Sequence, residues 1–146
     1  MKCFLTKHKG QEFYALALDC NAEYANFLVC MNAPEDFDRT LKRYQKKDEE
    51  YQDEKYIYEL RYNPGDWEYT DISVIDLFGE EELAARHQDD LDTQCKEMMT
   101  LFEEILCDFR NTKVFAHIPK TTDFVSFCID HDKDAESALN RQSQQD

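Results

Sequence analysis

The apolar positions of this chain alternate between unbroken runs and periodic stripes. Residues 13–20 (Phe13-Tyr14-Ala15-Leu16-Ala17-Leu18-Asp19-Cys20) are apolar for nearly their whole length. After a polar Asn21-Ala22-Glu23 turn, residues 24–31 repeat that character. Two such runs joined by a short turn predict an antiparallel hairpin lying centrally in a sheet. Asn32 to Asp36 then opens a helix whose stripe is Phe37, Leu41 and Tyr44. Pro34 suits an early helical position. Glu35, Asp36 and Asp38 favour the positive end of that helix, and Arg39, Lys42, Arg43, Lys46 and Lys47 the negative end. An acidic loop, Asp48 to Glu54, follows. Tyr56, Tyr58, Leu60 and Tyr62 alternate and predict a third strand over 56–62.

That strand meets Asn63-Pro64-Gly65-Asp66, strong turn chemistry, which turns Trp67 and Tyr69 back against the domain. One reading is a tight turn pinned by an aromatic plug. The other makes Arg61 and Asp66 the flanks of a recognition surface. Residues 71–78 are ambiguous between strand and helix. Leu91, Cys95, Met98, Phe102, Ile105, Leu106 and Phe109 recur three and four apart, one stripe along a helix of about five turns. Residues 113–118 and 123–130 predict a fourth and a fifth strand, hairpinned through Lys120-Thr121-Thr122. Residues 134–140 predict a last helical turn or two, and the tail 141–146 is expected to fray. The fold class expected is α+β: one domain over 1–146, a mostly antiparallel sheet of about five strands, and helices packed on one face.

Charge changes the picture more than composition does. The 146 residues carry 17 basic and 32 acidic side chains, a formal net charge of −15. Such a field repels nucleic acid and anionic membrane and favours basic partners. Ten Phe and eight Tyr supply enough apolar surface for the chain to fold despite that charge. Six cysteines, at 3, 20, 30, 95, 107 and 128, form no C-x-x-C pair and sit mostly in apolar runs, the pattern of reduced, buried thiols. The opening Met1 to Lys7 lacks the longer apolar core of a signal peptide and no stretch could span a bilayer, so a cytoplasmic location is expected.

Catalytic constellations are hard to draw. The three glycines are scattered, and neither a helical H-E-x-x-H nor a G-x-S-x-G elbow occurs. Asp130-His131-Asp132-Lys133-Asp134 opens like a calcium loop, but Ala135 stands where glycine is needed and Arg141 where the closing glutamate belongs. Cys128, His131 and His117 could be gathered around zinc only against the alternation of a strand, and a Cys128–His117 nucleophilic pair lacks an orienting third group. The expectation is therefore no cofactor, no metal and no catalytic residue.

Three stretches carry a family resemblance: Glu12 to Asp19, Leu60-Arg61-Tyr62-Asn63-Pro64-Gly65-Asp66-Trp67-Glu68-Tyr69, and Ser137-Ala138-Leu139-Asn140. They resemble a widespread bacterial family catalogued as domain of unknown function 4303, whose members look like "F-Y-A-F-A-L", "L-R-W-x-P-x-D-W-x-Y" and "L-N" at these places. The motif residues here are Arg61, Pro64, Asp66, Trp67 and Tyr69. Tyr62 replaces the usual Trp, and the helix expected ahead of the first strand has only Met1 to Gly10 to form in. The resemblance implies genomic company with polymorphic toxins, as immunity proteins, and brings no catalytic residues. Together with the charge it points to a basic cognate toxin as partner, bound through Glu80, Glu81, Glu82, Asp89, Asp90 and Asp92, with Trp67 and Tyr69 as an aromatic anchor. Two other classes stay open. One is an enzyme with an unrecognised site near Arg61, Asp66 or His117; the other is an acidic adaptor or nucleic-acid mimic.

Overall fold

The computed structural model describes residues 1–87, 90–131 and 133–145. Its first element, α1 (Lys2–Lys7), is the short helix the family pattern places ahead of the first strand. β1 (Phe13–Asn21) and β2 (Asn26–Asn32) form the antiparallel hairpin, in register from Ala15 opposite Asn32 to Asn21 opposite Asn26. α2 (Pro34–Gln45) follows, with Pro34 in its first turn. A 3-10 turn over Glu49–Gln52 leads to α3 (Glu54–Arg61), and a second over Pro64–Asp66 leads to β3 (Tyr69–Asp76). β3 returns antiparallel to β2. Then come α4 (Glu80–His87), the twenty-residue α5 (Leu91–Arg110) and the single helical turn α6 (Lys113–Ala116). β4 (Lys120–Asp130) and α7 (Ala135–Gln145) complete the chain.

The fold class α+β holds, but the sheet has four strands among the described residues, in the order β3-β2-β1-β4, and it is mixed. β4 lies parallel to β1, with Leu18 opposite Cys128. A parallel neighbour needs a long crossover, and α4, α5 and α6 supply it. Two expected strands are helical. Over 56–62, Ile57 and Leu60, three apart, turn to the core, whereas Tyr58 is exposed, so burial follows the helical spacing. Asp53 caps α3 by accepting the Lys55 amide at 2.8 Å. At 113–118 Thr112 caps a helical turn, its Oγ1 accepting the Phe115 amide at 3.2 Å. The hairpin turn expected at Lys120-Thr121-Thr122 belongs to β4. There the register jumps from Phe13 opposite Lys120 to Ala15 opposite Val125, so the strand bulges outward around Thr121 to Phe124.

Helices cover both faces of the sheet, not one. Leu16, Leu18 and Cys20 of β1 join Phe27, Val29 and Met31 of β2 in a cluster with Met98, Phe102 and Leu106 of α5. Tyr14, Ala15 and Ala17, on the opposite face, pack with Phe37 of α2, Leu60 of α3, Trp67, and Ala135 and Ala138 of α7. That second layer explains why β1 reads as an unbroken apolar run: it is central and sealed on both sides. The tail expected to fray is helical as far as Gln145, and Arg141 pairs with Glu103 at 3.1 Å. All six cysteines are free thiols; Cys20, Cys30 and Cys128 are buried, whereas Cys3 and Cys107 are exposed. No helix among the described residues is long and apolar enough to cross a membrane.

Candidate functional site

The motif stretch folds into a corner held by its own polar groups. Asn63 caps the 3-10 turn, its Oδ1 accepting the Gly65 amide at 3.3 Å while its Nδ2 donates to Asp66 at 2.7 Å. The Tyr44 hydroxyl donates to the other Asp66 oxygen, and that bond first, with burial second, raises the Tyr44 pKa. Pro64 is buried. Trp67, 5 % exposed, lies edge-on to Tyr14 and Phe127, and its Nε1 donates to the Arg61 carbonyl at 2.9 Å. The same carbonyl accepts the Tyr14 hydroxyl at 2.7 Å. Asn32, wholly inside, donates to the Tyr14 oxygen at 3.0 Å and accepts the Glu68 amide at 3.1 Å. Burial drives the Tyr14 phenol well above its ordinary value.

Arg61 closes the corner from outside. Its guanidinium carbon stands 4.3 Å from the Tyr14 ring centre, 5.3 Å from Phe37 and 5.7 Å from Tyr62, and its Nη2 donates to Asp123 at 3.0 Å. The β4 bulge brings Asp123 there. Asp123 titrates below the usual carboxylate range because Thr121 and then Arg61 stabilise its charge. Tyr69 is half-buried among Phe4, His8 and Phe13, and its hydroxyl donates to Gln11 at 3.1 Å. Trp67 is thus enclosed, while Arg61, Asp66 and Tyr69 each stack on or bond to a neighbour within the corner.

The acidic positions lie elsewhere. Glu80, Glu81 and Glu82 are exposed in the first turn of α4, where the helix dipole favours them. Asp90 caps α5, accepting the Thr93 amide at 3.1 Å and the Thr93 hydroxyl at 2.7 Å, and Asp92 is exposed in the first turn of that helix. Asp89 lies outside the described residues, as do Asp132 of the calcium-like stretch and Asp146. Leu83 of α4 and Met98 of α5 pack on the sheet face opposite Trp67, so these carboxylates stand apart from the corner. Between Tyr62 and Phe109 the chain holds fourteen acidic side chains and two basic ones, Arg86 and Lys96. Asp71 and Asp76 of β3, and Glu97, Glu104 and Asp108 of α5, extend the exposed negative surface.

The histidine and cysteine candidates disperse. His117 is exposed at the end of α6 with Nδ1 2.5 Å from the Lys113 carbonyl. His131 faces Asp19 at 3.2 Å, and Cys128 is inside the sheet core. Among the described residues no three His, Cys, Asp or Glu side chains are grouped to hold a metal. One feature sequence reasoning missed is the Arg61 stack, which unites residues 47 positions apart; its only sequence signal was the pairing of Arg61 with a Pro-Gly turn.

These features define an α+β protein with a covered mixed sheet, a self-satisfied aromatic corner and a separate acidic side. The chain belongs to the family described as "Domain of unknown function (DUF4303)", which matches residues 1–145. Against curated proteins and solved structures the chain has no match.

Proposed function

We propose that this chain is an immunity protein: a cytoplasmic binding protein, not an enzyme, that neutralises a cognate toxin by covering its active site. The observation that carries the reading is the concentration of charge. A net charge of −12 between Tyr62 and Phe109 accounts for most of the chain's −15, and its exposed carboxylates project from β3, α4 and α5. A toxin that acts on nucleic acid carries a basic groove, and such a surface meets it with complementary charge that speeds encounter. Binding is favoured over catalysis because the motif side chains that look reactive, Arg61, Asp66 and Tyr14, are spent on internal bonds.

The test uses the product of the gene directly upstream, expressed with and without this chain. The reading expects growth arrest by that product alone, rescue by this chain, and a complex whose association slows at least about tenfold between 50 and 300 mM salt. Reversing Glu80, Glu81 and Glu82 to Lys should abolish rescue while leaving the fold intact. Rescue that survives this reversal with unchanged salt dependence would refute the acidic-surface assignment.

A further inference from the structure

A cleft of about 760 Å³ opens where the β1–β2 turn, the end of β3, the start of α4 and the start of α5 converge. Its apolar walls are Tyr24, Leu77, Phe78 and Leu91. Two of these are unusual for their place in the chain. Leu91 belongs by spacing to the α5 core stripe and yet is 48 % exposed; Tyr24, in the turn, is 57 % exposed. The carboxylates of Glu23, Asp76 and Glu80 rim the opening, and no described cation pairs with any of them. The cleft is also held open from two sides. Gln94, buried, donates from Nε2 to the Ala22 and Glu23 carbonyls at 3.2 and 2.8 Å, and the Leu77 amide donates to the Ala25 carbonyl at 2.9 Å. Ala25 itself adopts φ = +51°, which a non-glycine residue keeps only where surrounding bonds demand it.

An apolar slot with an unpaired acidic rim suits one kind of occupant. A flat cation with an aliphatic stem buries its methylenes on the walls and leaves its charge at the rim. The Phe78 ring already carries such a group, the Arg86 guanidinium at 4.5 Å. We propose that this cleft receives an arginine side chain presented by an extended segment of a basic protein partner. It is thus the anchor point within the acidic side, and the proposal rests on the immunity reading for the partner's identity. The guanidinium would face the Glu23, Asp76 and Glu80 carboxylates, with Tyr24 beside its stem.

The probe is the peptide acetyl-Gly-Leu-Arg-Leu-Gly-amide, titrated into the isotopically labelled full chain and followed by amide chemical shifts. Expected are shifts concentrated at Tyr24, Asn26, Leu77, Gly79 and Leu91. The citrulline analogue, the same shape without charge, should bind at least about tenfold more weakly. Tyr24→Ser and Glu80→Gln, both at exposed positions that leave the core intact, should each weaken the peptide at least about threefold. Shifts scattered over β3 and the outer face of α5, or equal binding of the citrulline peptide, would overturn the proposal. Against the upstream gene product, Tyr24→Ser should speed dissociation at least about tenfold. An unchanged complex there sinks the cleft and leaves immunity standing. Peptide seated in the cleft while the upstream product fails to bind supports the cleft and sinks immunity.

Discussion

Tyr14→Phe removes one oxygen from the middle of the corner and tests whether the motif is held by the network described above. The hydroxyl donates to the Arg61 carbonyl at 2.7 Å and accepts from Asn32 at 3.0 Å. The Arg61 carbonyl keeps the Trp67 indole as a donor, so losing the first bond costs about 1 kcal/mol. The second loss is worse. The Asn32 amide, 1 % exposed, has no other acceptor among the described residues, and a stranded buried donor costs about 1–3 kcal/mol. The ring stays, so no cavity is added. The expected destabilisation is about 2–4 kcal/mol, or roughly 6–13 °C in Tm for a chain of this length.

Urea unfolding followed by Trp67 fluorescence is the natural assay, because the single Trp lies edge-on to Tyr14 and Phe127 in the folded state. The slope should not change, since the substitution hardly alters the area exposed on unfolding. A pH series adds a signature that mere loss of packing lacks. Burial holds the Tyr14 phenol protonated in the folded chain, whereas the unfolded phenol ionises near 10.0. The folded pKa is raised, so this stabilisation is complete below pH 10 and falls as pH climbs above it. The gap between wild type and variant should therefore narrow above pH 10. A variant within about 0.5 kcal/mol of wild type at neutral pH, or a gap constant with pH, would refute the network as the source of corner stability.

Two further perturbations separate effects the corner superimposes. Arg61→Lys should cost about 1–2 kcal/mol, because an ammonium cannot stack flat on Tyr14 and Phe37, while Asp123→Asn, at a carboxylate 59 % exposed, should cost less than about 0.5 kcal/mol. Thermal melts giving the reverse order would show that the ion pair, not the stack, fixes Arg61. Cys30 has its thiol pushed up to about 12 by burial, its S–H donating to the Thr70 carbonyl at 3.0 Å. Its stabilisation should be complete below the unfolded value of 9.0 and decline from there toward pH 12, so the stability difference between wild type and Cys30→Ala should shrink across that window in alkaline urea titrations.

Where one physical signal dominated a segment, the sequence was a good guide. β1 and β2 are apolar on every side because both sheet faces are covered, and α5 keeps its stripe over twenty residues. Residues 56–62 misled because their four alternating aromatic and Leu positions outnumber the pair, Ile57 and Leu60, that tertiary packing selects; Asp53, the cap that starts the helix, looked like part of an acidic loop. The parallel placement of β4 was out of reach, since Lys120 to Thr122 reads as a turn unless one knows that β1 lies alongside and forces a bulge. Of the candidate site, the acidic positions were visible as charge, but the cleft is assembled from four segments. Its only trace in the sequence is the apolar Leu91 heading a stripe among Asp89, Asp90 and Asp92.

The corner and the acidic side divide the molecule's work along physical lines. The motif's donors and acceptors bond one another, so the corner is satisfied without any outside group. The acidic side has the opposite character. Glu80 to Glu82 bond no described side chain, so beyond the dipole of α4 they are left to meet an external cation. Long-range attraction from exposed carboxylates is screened over about 8 Å at physiological salt and acts on encounter. The cleft walls act only at contact. Salt should therefore govern how fast a partner arrives, and Tyr24 and Leu91 how long it stays. An interface built from charge alone could not separate the two rates in this way.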